Sequence, residues 1–159
     1  MKLLFILLWS LLPFQVVHNT RVQALGAFLD HRPAQQYVEQ FLDAADRYHL
    51  DWELLPSISL VETGGGQRAI HHNIFGWDSG RAKFVSTEQA IFLVAKRLAE
   101  TPGYAGKNSR GKMLVYNPAH AQYWVKINRQ FALLHRLYEA RQPIVVAAAN
   151  AVALDQPPD

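Results

Sequence analysis

The chain opens on an almost unbroken apolar run, Leu3 to Leu12, behind a single charge at Lys2 and ahead of Pro13. A positive flank, an apolar stretch and the small-residue site Val22-Gln23-Ala24 have the layout of a secretory signal peptide over 1–24. The run falls short of the ~20 residues that span a bilayer, while an uncleaved anchor extending through Val17 fits the same pattern. After Pro33 the apolar positions turn helical. Tyr37, Phe41, Ala45 and Tyr48 recur three and four apart, which predicts an amphipathic helix over 34–49 opened by proline. Asp51 is a usable N-cap for a second helix ending at Glu62 or Thr63, with Leu55, Ile58 and Val61 as its buried stripe. Pro56 must then sit near the first turn, and Gly64-Gly65-Gly66 stops the helix.

Over 67–85 the period is lost, and Asn, Gly and Asp-Ser-Gly predict a loop or short β-hairpin. Ser86-Thr87-Glu88-Gln89 resembles a capping box ahead of a third helix carrying Ile91, Val94, Ala95 and Leu98. Residues 101–112, rich in glycine and basic side chains, predict an exposed connector. Asn117-Pro118 predicts the start of a long last helix with Trp124, Ile127, Phe131, Leu134 and Tyr138 on one face. Four helices around one core should bury Phe41, Leu55, Ile58, Ile91, Val94, Trp124 and Ile127. The division is a leader over 1–24, one mainly α domain over 33–140 and a flexible tail over 141–159, whose apolar part is too short to cross a membrane.

Composition narrows the classes. A chain of 159 residues, 50% hydrophobic and 18% charged, can bury one sizeable core and is not disordered away from its ends. With no cysteine there are no disulfides, thiolate zinc sites or lipidated-cysteine anchor. The net charge of +3 suits an acidic wall polymer and nucleic acid alike, and loss of 1–24 removes Lys2 and Arg21 but no acid, leaving +1.

Among the polar side chains, Glu62 stands out. It follows Leu55 and Ile58 by seven and four positions, so a carboxyl group continues an apolar helical stripe. Partial burial and the negative end of the helix both favour its protonated form, the state a general acid requires. The glycines behind it would leave room for a substrate. The competing reading is a solvated glutamate in a fraying last turn. Gly106 to Lys112 misses the phosphate-loop pattern, since Met113 stands where Ser or Thr would hold magnesium. It reads instead as a flexible basic connector whose lysines face anionic polymer. The pair His71-His72 lacks metal-ligand spacing, and no metal or cofactor is expected. Lys126, Arg129 and Arg136 on the last helix suit nucleic acid or a solvated face, and an export signal argues against the former.

The stretch Leu54-Leu55-Pro56-Ser57-Ile58-Ser59-Leu60-Val61-Glu62-Thr63-Gly64-Gly65-Gly66 resembles the catalytic-helix motif of bacterial glucosaminidases and lytic transglycosylases. Asn73-Ile74-Phe75-Gly76-Trp77 resembles the Asn-x-Phe-Gly motif of the glucosaminidase domain family (mannosyl-glycoprotein endo-β-N-acetylglucosaminidase-like). Phe84-x-Ser86, Ala90-Ile91, Tyr104-Ala105-Gly106-Lys107 and Tyr116-Asn117-Pro118 follow in the same order, so the resemblance spans about residues 35–137. It implies a lysozyme-like helical domain with a small β-hairpin or loop lobe beside the catalytic helix. It also implies a secreted or periplasmic enzyme acting on peptidoglycan strands, with Glu62 protonating the bond between N-acetylated amino sugars.

By the same resemblance, Asn73, Phe75 and Trp77 would shape the cleft, Trp77 offering a face to a sugar ring. Tyr116 matches the tyrosine placed near the acid, or else packs at a helix entry. Phe75 fits a core position equally. The second carboxylate departs from the usual glycosidase pair. Asp78 would be the base, or is an ordinary turn residue before Ser-Gly, in which case the substrate's acetamido or 6-hydroxyl group takes that role. The last option is cleavage of the lytic-transglycosylase type, and a non-catalytic peptidoglycan-binding module is the remaining alternative.

Overall fold

The computed structural model describes residues 2–120 and 122–142, with side chains described from residue 15. The expected tail thus lies outside the described residues from 143 onward. The chain is mainly α. Helix α1 runs Lys2–Phe28, a 3-10 turn Pro33–Tyr37 leads into α2 (Val38–Arg47), and α3 spans Leu54–Thr63. Then come α4 (Thr87–Glu100), α5 (Ser109–Tyr116) and α6 (Tyr123–Glu139), and the described residues contain no strand. Of the two forms expected for 67–85, the loop is therefore the one observed.

One core joins all of these elements. Phe41, Leu55, Ile58, Ile91, Val94 and Ile127 are fully buried, as their spacing predicts. Trp124 is only partly buried and meets Phe131 edge to face at 5.8 Å. The core reaches further toward the N-terminus than expected. Ala24, Leu25, Phe28 and Leu29 belong to it, and α1 packs against both α6 and α2. Arg21 grips Asp46 of α2 through two bonds of 2.9 and 2.6 Å. The packed domain begins before residue 33, because a second helical stripe (Ala24, Leu25, Phe28) continues beyond the polar His18-Asn19-Thr20-Arg21 interruption. Among the described residues no helix is long and apolar enough to cross a membrane.

Several boundaries differ from the sequence expectation for local reasons. Helix α3 starts at Leu54, not Asp51, and Asp51 instead accepts a hydrogen bond from Ser109 of α5. The expected connector over 101–112 ends early, because Asn108 caps α5 by accepting the Gly111 N–H at 2.9 Å. Lys112 is buried there and donates to the Tyr104 carbonyl at 2.9 Å, so it does not face a polymer. Asn117 closes α5 rather than opening the last helix, which begins at Tyr123. Ser86 does cap α4, accepting from Gln89 N at 3.0 Å, while the Gln89 side chain accepts from Val85 N at 2.9 Å.

Candidate active site

The C-terminal turn of α3 and the loop after it build the site around Glu62. Gly64 ends the helix in the left-handed conformation (φ 67°), its N–H donating to Leu60 O while Gly65 N donates to Ser59 O. The space over these glycines is not open to substrate. A Cβ at Gly65 would lie 3.0 Å from the Cβ of Arg32, whose side chain also bonds Gln67 at 2.7 Å. Thr63 fastens the helix end to the loop. Its single hydroxyl proton has Ile74 O at 2.7 Å and Ser59 O at 3.1 Å, and the shorter contact favours Ile74. The same oxygen accepts from Gly66 N at 3.0 Å.

The loop is folded by its own side chains. Asn73 is buried and spends both ends of its amide on Trp77, accepting from Trp77 N at 2.8 Å and donating to Trp77 O at 3.0 Å. It therefore acts as a clamp within the loop rather than a sugar contact. Phe75 is fully buried against Phe41, with ring centroids 6.3 Å apart at 87°. That makes it a core residue, the second of its two sequence readings. Directly after Phe75 the chain presents Gly76 to the carboxyl group. A Cβ on Gly76 would sit 2.7 Å from Oε2 of Glu62, and its φ is 61°, so only glycine fits both requirements.

Two tyrosines complete the surroundings. Tyr123, at the first turn of α6, donates its hydroxyl to Oε1 of Glu62 at 2.6 Å. Tyr116, at the end of α5, donates to the carbonyl of Phe75, the residue before Gly76. Their rings stack at 5.8 Å and 11°. Trp77 meets Tyr116 at 5.5 Å and Tyr104 at 6.1 Å, so an aromatic row runs from Tyr104 inward to the Glu62 carboxylate. Burial, the hydrogen bond to Glu62 and the nearby Tyr116 and Glu62 hold Tyr123 far above the ordinary tyrosine range, and burial with the Glu62 charge does the same to Tyr116. Both hydroxyls stay protonated donors at neutral pH.

A cleft of about 570 Å³ opens along this row, with Gly76, Trp77, Lys83, Arg97, Tyr104 and Tyr116 in its wall. Glu62 adjoins it through Gly76. Trp77 is no bare platform, since the Arg97 guanidinium lies over its ring at 5.5 Å. Asp78 also lines the cleft but is exposed, and its carboxylate is held by Arg81 at 2.8 Å. Asp78 and Ser79 share positive φ values of 55° and 54°, as turn residues at the cleft edge.

The structure thus brings Trp77, Tyr116 and Asp78 into the wall of one cleft, sets Glu62 behind Gly76 at its edge, and turns Asn73 and Phe75 to structural duty. Sequence reasoning missed Tyr123 and Arg97, and it held Gly76 as part of the loop motif without its contact to Glu62. Tyr123 does continue the stripe of Ile127 and Leu134, but nothing in that stripe names a partner in α3. The chain matches no family model, no curated protein and no solved structure.

Proposed function

We propose that the chain is a peptidoglycan-cleaving glycosidase of endo-β-N-acetylglucosaminidase type with a lysozyme-like active site, in which Glu62 is the general acid. The observation that carries this reading is the setting of the carboxyl group. One oxygen is fixed by Tyr123, and the other lies against a glycine that lines an aromatic cleft. In that setting Oε2 hands its proton to the glycosidic oxygen as the bond to the anomeric carbon breaks. Tyr123 then donates to the carboxylate left behind, and the fixed orientation spares the side chain a search through rotamers. The resemblance of the α3 and Asn73–Trp77 segments to the glucosaminidase family supplies the substrate class, and the apolar run Leu3–Leu12 supplies an exported, wall-facing location, with any cut falling before residue 16 rather than after Ala24, which is buried in the core.

The exposed Arg81-bound state of Asp78 favours a substrate group over a carboxylate as the second participant. Attack by the acetamido oxygen would end in hydrolysis, whereas attack by the 6-hydroxyl would end in an anhydro-sugar. Mass spectrometry of purified peptidoglycan digested by the protein separates these endings and identifies the sugar cut. Asp78→Asn is expected to leave the rate within a fewfold of the parent. Absence of any cleaved product, with the strands still bound, would replace the enzyme by a non-catalytic binding module.

A further inference from the structure

The cleft wall carries more positive charge than the chemistry at Glu62 uses. Its three charged side chains are Asp78, Lys83 and Arg97. Asp78 is neutralised by Arg81. Lys83 and Arg97 enter no ion pair among the described residues, and both are exposed to the cleft. Arg97 is also oriented. Its guanidinium carbon lies over the Trp77 ring, 5.5 Å from the centroid, and its N–H donors make no hydrogen bond among the described residues. A planar fork with free N–H groups matches a carboxylate, and a lysine on the same wall adds a second charge.

We propose that Arg97 and Lys83 form a subsite for a carboxylate carried by the sugar strand itself, so that the enzyme selects acid-bearing amino-sugar polymers over uncharged ones. This rests on the glycosidase reading above and adds to it a specificity determinant. Tyr104 and Tyr116 grip the apolar faces of the strand, while Arg97 and Lys83 set its register by pairing with an acid group on an adjacent ring. Trp77 serves here as the support that positions Arg97 rather than as an open stacking surface.

The test uses the full chain with Glu62→Gln, so that binding is read without turnover. Three tetrasaccharides are compared: a peptide-free strand of alternating N-acetylglucosamine and N-acetylmuramic acid, the same strand with its lactyl carboxyls converted to methylamides, and tetra-N-acetylglucosamine. The free acid is expected to bind about tenfold more tightly than either uncharged form, the scale of one charge-assisted hydrogen bond. That preference should shrink with added salt. Arg97→Gln with Lys83→Gln should bind all three alike, at unchanged melting temperature. A strand whose lactyl carboxyls are amide-linked to peptide stems, which bring their own carboxylates, separates the sources, because binding there as tight as to the free acid would assign the subsite to the peptide and overturn the proposal. Equal binding of all three sugars by the parent, with digestion of peptidoglycan intact, would overturn the subsite alone. Failure to bind any of them, with no digestion, would overturn the glycosidase reading as well.

Discussion

The hydroxyl of Tyr123 donates to Oε1 of Glu62 at 2.6 Å, joining residues 61 apart in sequence across the α3–α6 contact. Tyr123 is almost fully buried, so this bond replaces one that water would otherwise make. Tyr123→Phe keeps the ring stacked on Tyr116 but leaves the carboxyl oxygen unpartnered. Loss of a bond to a charged group costs about 1.5–3 kcal/mol, so kcat should fall by about tenfold or more with little change in KM. A rate equal to the parent's would remove Tyr123 from the site.

The same residue, together with Tyr116, should weaken the fold at alkaline pH. Its folded-state pKa lies above the ordinary 10.0, so the folded chain holds this proton more tightly than the unfolded chain. The associated stability is complete below pH about 10 and drains away as pH climbs beyond it. Chemical denaturation midpoints across that range should fall steeply for the parent and less steeply for Tyr123→Phe, Tyr116 supplying the remaining slope. Parallel curves would contradict the assignment.

Gly76→Ala tests the approach of the loop to the acid. The added carbon would meet Oε2 at 2.7 Å and force an alanine into a left-handed conformation, worth about 1–2 kcal/mol. Activity should drop by at least about tenfold, because the carboxyl group must turn away from the cleft. Gly65→Ala is the comparison: it crowds Arg32, so it should lower the melting temperature while sparing the rate per folded molecule.

Much of the fold was legible because it is written in local patterns. The stripes of α2, α3, α4 and α6 and the cap at Ser86 need only neighbouring residues to be read. Glu62 stood out too, as a carboxyl group on an apolar stripe before glycines, and the structure sets it behind Gly76 at the edge of the cleft. What escaped depended on distant partners. Asp51 looked like a cap because its true partner, Ser109, is 58 residues away. Asn73 looked like a ligand because sequence does not show both ends of an amide closing on Trp77. Helix α5 was hidden by Gly111, a poor helix former that its Asn108 cap and the buried Met113 outweigh.

The N-terminal helix makes its own prediction. A chain starting at Leu25 loses the Arg21–Asp46 pair and the buried Thr20 and Ala24, whereas one starting at Gln15 keeps them. The shorter chain should melt about 5–10 °C lower, from ~2–3 kcal/mol of lost packing in a domain of this size. The mature protein, examined by intact mass, should accordingly retain residues 16–28. A fully stable product beginning directly after Ala24 would contradict the role given to α1.

The central claim rests on one carboxyl group, and the rate of peptidoglycan cleavage by Glu62→Gln against the parent tests it most directly. Glutamine preserves the shape and still accepts the Tyr123 hydroxyl, but it has no acidic proton to give. At equal melting temperature and equal strand binding, the variant should release products about 10²–10⁴-fold more slowly. Cleavage at the parent rate would show that Glu62 is not the acid.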